Sequence, residues 1–104
     1  MKPIAVVTTV AKREDALRLA HTLVERKLAA CAQISQIESI YSWKGAVQQE
    51  PEFRILLKTT DERYELVEST IRDLHSYELP AIHAFAFEHV YPAYATWIAE
   101  NAGG

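Results

Sequence analysis

Glycine is scarce in this chain: three in 104 residues, at positions 45, 103 and 104. A glycine-rich loop that lets the backbone close around phosphate is therefore excluded. Cysteine is scarcer still. Cys31 stands alone, so no disulfide forms within the chain and no paired-cysteine zinc pattern arises within one subunit. A reducing compartment suits such a chain. Positive charge is also short, with 11 Lys and Arg against 14 Asp and Glu and a net charge of −3. That balance argues against a nucleic-acid partner, which needs a basic surface. No apolar run approaches the ~20 residues of a membrane-spanning helix, so no membrane partner is expected. The N-terminal apolar stretch is brief, contains Thr8 and Thr9, and runs into Lys12-Arg13-Glu14-Asp15. It reads as a first strand rather than a secretory leader, and the expected location is cytoplasmic.

What is present is ordinary for a globular protein: 49% hydrophobic and 24% charged residues, with no repeat and no low-complexity segment. The length fits a single domain, 1–104. Residues 3–10 are β-branched and continuous, the pattern of a strand buried on both faces. Residues 13–27 switch to helical spacing, with Ala16, Ala20, Leu23, Val24 and Leu28 expected on the inner face and His21 solvated or half-buried. Thr59 with Glu62 suggests a capping box, Thr60 and Asp61 being rival caps. Tyr64, Val67, Ile71 and Leu74 then define the buried side of a second helix, stopped before Pro80. Residues 81–89 read as a strand in which His83 and His89 alternate with Phe85 and Phe87. Those two histidines stand ~20 Å apart, too far to share an ion. Pro92 opens a short helix, and Asn101-Ala102-Gly103-Gly104 reads as a frayed tail.

Two extended arms, 31–43 and 46–59, flank a turn at Lys44-Gly45. Ile37, Ser39, Tyr41 and Trp43 share one face of the first arm. Ile34 and Ile37 both point inward only if a bulge separates them. Pro51 marks an edge or a bulge in the second arm. The order is βαββαβ plus a C-terminal helix, the α+β ferredoxin-like plan with a long central hairpin. An arm of this length spans ~43 Å, whereas a compact domain of about 100 residues is roughly 34 Å across. The tip must overhang its own core while carrying Tyr41 and Trp43. Packing against another copy of the chain is the expected remedy.

Several stretches carry a family resemblance: Leu28-Ala29-Ala30-Cys31, Ser39-Ile40-Tyr41-Ser42-Trp43-Lys44-Gly45, Lys58-Thr59, His75-Ser76-Tyr77-Glu78-Leu79-Pro80 and Tyr94-Ala95-Thr96-Trp97-Ile98. In this order they resemble the CutA (CutA1) divalent-cation-tolerance family. The resemblance implies a homotrimer with hairpin arms laid across neighbours, similar to the PII signalling proteins, and a role in tolerance of copper and other divalent cations. The usual histidine-proline-tyrosine is His75-Ser76-Tyr77 here, and Ala81 stands where a glutamate is common. Thr8 and Thr9 occupy the region in which some relatives carry a metal-binding cysteine.

His75 is the leading metal-ligand candidate, with Cys31 and Glu78 as companions; the competing role for His75 is bonding carbonyls at a helix end, and for Cys31 that of a small buried hydrophobe. Copper or another divalent cation is the expected ligand, with none needed for folding. Tyr41, Trp43, Glu50, Lys58 and Tyr77 are candidates for a cleft or interface between subunits. The alternative is that Lys58 and Glu50 are solvated and the aromatics are interface core. A lysine among aromatics also suits a small anionic metabolite in such a cleft, the rival function. No nucleophile has an evident base, so no enzymatic activity is expected.

Overall fold

A computed structural model describes residues 2–103. The elements are β1 (Pro3–Val10), α1 (Arg13–Glu25), β2 (Cys31–Trp43), β3 (Ala46–Thr60), α2 (Tyr64–Leu74), β4 (Ile82–Ala86) and α3 (Pro92–Asn101), with one 3₁₀ turn at Asp61–Arg63. The strands form one antiparallel sheet in the order β2-β3-β1-β4. This is the expected α+β ferredoxin-like plan, and β1 lies inside the sheet, as its continuous apolar run predicts.

Register divides the sheet cleanly. On one face, Ile4, Val6 and Val10 of β1 join Phe53, Ile55 and Leu57 of β3 and Ala32 and Ile34 of β2. This face packs on Ala16, Leu19, Ala20 and Leu23 of α1 and Val67 and Ile71 of α2. The opposite face carries Ala5 and Val7, then Glu50, Glu52, Arg54 and Lys58, then Cys31, Ile37, Tyr41 and Trp43. Among the helices, α3 covers part of it, through Ile98 and Ala102 against Ala30, with Phe87 and Tyr94 alongside. This second side is called the open face below.

Several expectations change. The β2–β3 register runs without interruption from Cys31↔Lys58 to Trp43↔Ala46, so no bulge separates Ile34 from Ile37. Ile34 faces the helices and Ile37 the open face, opposite Glu52. Pro51 sits in the ladder opposite Glu38, past the end of β1, where no strand asks it for a bond on that side. Val24 is exposed, and Leu19 takes the inward position instead. Thr59 is not a helix cap. Its hydroxyl donates to the Leu28 carbonyl at 2.7 Å, while the 3₁₀ turn delays α2 to Tyr64. β4 is shorter than expected and excludes Phe87 and His89. Asn101 belongs to α3, Ala102 is buried, and Arg63 donates to the Gly103 carbonyl at 2.7 Å, so these residues are held rather than frayed. Gly104 lies outside the described residues.

α1 ends in a Schellman motif: Leu28 N–H donates to Leu23 O and Lys27 N–H to Val24 O. Lys27 occupies the left-handed position usually given to glycine, at φ 58°. The hairpin turn is built from Lys44 and Gly45 at φ 49° and 82°, a type I′ pair that matches strand twist. Beyond Phe53 the hairpin has no third strand, because β1 ends at Val10. Seven residue pairs, Ile37↔Glu52 to Trp43↔Ala46, therefore project from the body. They account for a molecule 44 × 26 × 21 Å across with a radius of gyration of 14.1 Å, above the ~13 Å of a compact chain this long.

Candidate functional site

The open face gathers a cluster where the projecting half of the hairpin begins. Glu50 and Glu52 alternate with Pro51 on β3, and Tyr41 stands diagonally across on β2. The segment after α2 delivers Tyr77. Its phenol donates to Glu52 Oε2 at 2.6 Å. Glu52 is 6% exposed, an unusual setting for a carboxylate. Burial, then the hydrogen bond to Glu52 and the charge of Glu52, push the Tyr77 phenol well above its ordinary pKa. Tyr41 is pushed up as well, by desolvation first and then by the Glu50 charge. Both phenols are therefore protonated donors at neutral pH.

His75 sets Tyr77 in place. Nδ1 of His75 accepts the Tyr77 backbone N–H at 3.1 Å, and Nε2 lies 2.8 Å from the Thr9 carbonyl. The two bonds are satisfied together only by the neutral ring with its proton on Nε2. The imidazole also leans on the Tyr77 ring, with centroids 4.8 Å apart. From α1, Arg18 donates to the Leu74 carbonyl at 3.1 Å and holds the end of α2. His75 does bond a carbonyl, but it is that of Thr9 in β1 rather than one at the end of α2, and both ring nitrogens are engaged.

The other sequence candidates lie apart. Cys31 pairs with Lys58, whereas the Thr9 that His75 meets pairs with Arg54. That places Cys31 ~13 Å along the strands and about two strand spacings across from His75. Glu78 is exposed beyond Tyr77. Among the described residues, no group of three or more His, Cys, Asp or Glu side chains is arranged to hold a metal ion. Within one chain the donor set does not fit a tight divalent site. Lys58 sits at the far end of the open face, its ammonium 5.2 Å from the Tyr94 ring centroid. Trp43 is at the hairpin tip beneath the Lys44 ammonium. Of the five cleft candidates, Tyr41, Glu50 and Tyr77 come together; Trp43 and Lys58 do not. Glu52, the centre of the cluster, is not among the residues the sequence singles out. Its alternation with Glu50 put it on the same face, but nothing local announced that Tyr77 would arrive over it.

Fold and sequence are shared with known proteins. Residues 4–101 match the family model described as CutA1 divalent ion tolerance protein. The divalent-cation tolerance protein CutA of Thermotoga maritima is 37% identical over 98 residues, covering 94% of this chain and 97% of that one. The solved structure of the periplasmic divalent cation tolerance protein CutA from Archaeoglobus fulgidus superposes with a TM-score of 0.94 at 33% identity, covering 96% of this chain and 98% of that one. That of the divalent cation tolerance protein from Thermus thermophilus gives 0.93 at 35% identity, with 97% and 99% covered. With the match running through β1, the hairpin, the His75–Pro80 segment and α3 alike, this chain belongs to the CutA1 divalent ion tolerance family.

Proposed function

We propose that the chain works as a homotrimer in divalent-cation tolerance, without enzymatic activity, and that it binds copper or another divalent ion only weakly. The observation that carries the assembly is the projecting hairpin. It holds Ile40 at 66%, Val47 at 75%, and Tyr41 and Trp43 each at 37% exposure, a concentration of large apolar side chains that a neighbouring copy would cover. The weakness of metal binding follows from the site: His75 is spent on Thr9 and Tyr77, and Cys31 lies elsewhere. A core built mainly of apolar side chains supports folding without an ion. The single thiol suits the cytoplasm. An anionic metabolite at the Tyr41–Tyr77 cluster would meet the carboxylates of Glu50 and Glu52, which disfavours the metabolite-sensor alternative at that position.

Native mass spectrometry should give three times the chain mass, and a monomer would sink the assembly. Calorimetric titration with copper(II) should show the same weak uptake in the wild type and in His75→Ala. Tight stoichiometric binding that His75→Ala abolishes would overturn the reading and restore His75 as a ligand.

A further inference from the structure

Of the four charges on the open face, Glu50, Glu52, Arg54 and Lys58, none makes an ion pair among the described residues, and only Glu52 and Lys58 are drawn out of full exposure. Glu52 is buried, accepts one hydrogen bond from Tyr77, and makes no ion pair among the described residues. Arg54, two residues along on the same face, is exposed and does not reach it. Carboxylates in such settings ordinarily have a cation beside them. Lys58 is the complement. It is half-buried over Tyr94 and has no carboxylate in reach among the described residues. Both occupy even positions of β3, so both point to the open face, yet six residues or ~20 Å of strand keep them apart. One chain cannot join them. Two copies laid open face to open face and offset along β3 can, and a head-to-tail ring uses every Glu52 and every Lys58 once.

We propose that Glu52 of each copy receives Lys58 of the partner subunit, an ion pair that closes the assembly between the Tyr41–Tyr77 cluster on one side and Tyr94 on the other. The inference rests on the self-assembly reading above and names the contact that completes it. The ring faces on either side exclude water from the pair, which strengthens it and makes it selective for one docking register. The occupant is a second copy because the face supplies both halves: an uncompensated anion, an uncompensated cation, and uncovered aromatic side chains on the projecting hairpin beyond them.

The test is subunit exchange between isotope-labelled and unlabelled protein, followed by native mass spectrometry. Glu52→Gln and Lys58→Met should each speed exchange by ~30-fold or more, and the double variant should be no faster than the faster single one. Independent effects that multiply, or a coupling found instead between Glu52 and Arg54 in the matching Arg54→Gln cycle, would overturn the pair while leaving the assembly intact. A monomeric wild type would remove both. If a single variant does not fold, carbodiimide treatment of the wild type decides. A zero-length amide between Glu52 and Lys58 of different chains supports the pair; inter-chain amides at other positions only would reject it.

Discussion

The two halves of the hairpin share one unbroken register and differ only in what lies beside them. The inner half, Phe53 to Lys58 of β3, has β2 on one edge and β1 on the other, and Ile55 and Leu57 are fully buried under α1 and α2. The outer half, Ala46 to Glu52, has β2 alone. The same continuous strand pairing therefore makes a core in one half and a largely uncovered surface in the other. A strand pair keeps its geometry past the point where its own chain supports it, and the apolar side chains it carries there are addressed to something outside.

The largest test of that contrast falls on the inner half. Leu57→Ala should lower the stability of the folded chain by ~3 kcal/mol in denaturant unfolding, the usual cost of emptying a fully buried leucine site. Trp43→Ala should act differently. It should weaken assembly by ~2 kcal/mol, read as dissociation on dilution, and leave the far-UV circular dichroism of the chain unchanged. Equal losses of fold in the two variants would erase the distinction between the halves. At the boundary stands the Tyr77–Glu52 bond, and Tyr77→Phe should cost ~1.5 kcal/mol at pH 7, as for a hydrogen bond to a charged group. Because the folded phenol titrates above its ordinary value, its contribution is complete below pH ~10 and is lost as the pH rises further. The gap between wild type and Tyr77→Phe should therefore narrow above pH ~10; a constant gap through that range would mean Tyr77 is not the donor.

Much of this contrast could be read in the sequence. The limits of β1 and β2 and the start of α3 are those that β-branched runs, the Lys44-Gly45 turn and Pro92 imply. These are local signals, and local signals place elements well. What failed was decided by contacts between distant segments. Thr59 has the sequence of a cap, yet Leu28 claims its hydroxyl. The tail after Asn101 looks unstructured, yet Arg63, far away in sequence, grips Gly103. His75 has the chemistry of a ligand, but Thr9 and Tyr77 occupy both nitrogens. Glu52 has the pattern of a solvated strand residue until Tyr77 covers it. The expected bulge failed for another reason: Ile37 stands where the hairpin leaves the body, half-buried on the open face opposite Glu52, beyond the part of the sheet that the helices cover.

The small turn at Asp61–Arg63 has a further consequence. The Asp61 N–H donates to the Lys2 carbonyl at 2.8 Å, and the Arg63 guanidinium donates to the Gly103 carbonyl at 2.7 Å. Residues 2 and 103, at opposite ends of the described chain, are thus moored to the same three residues. A chain whose two extremities share a mooring can be pictured as a loop already nearly closed. Its thread order is then a choice among several that the same packing would accept, and the route of the backbone matters less to this fold than the neighbours it brings together.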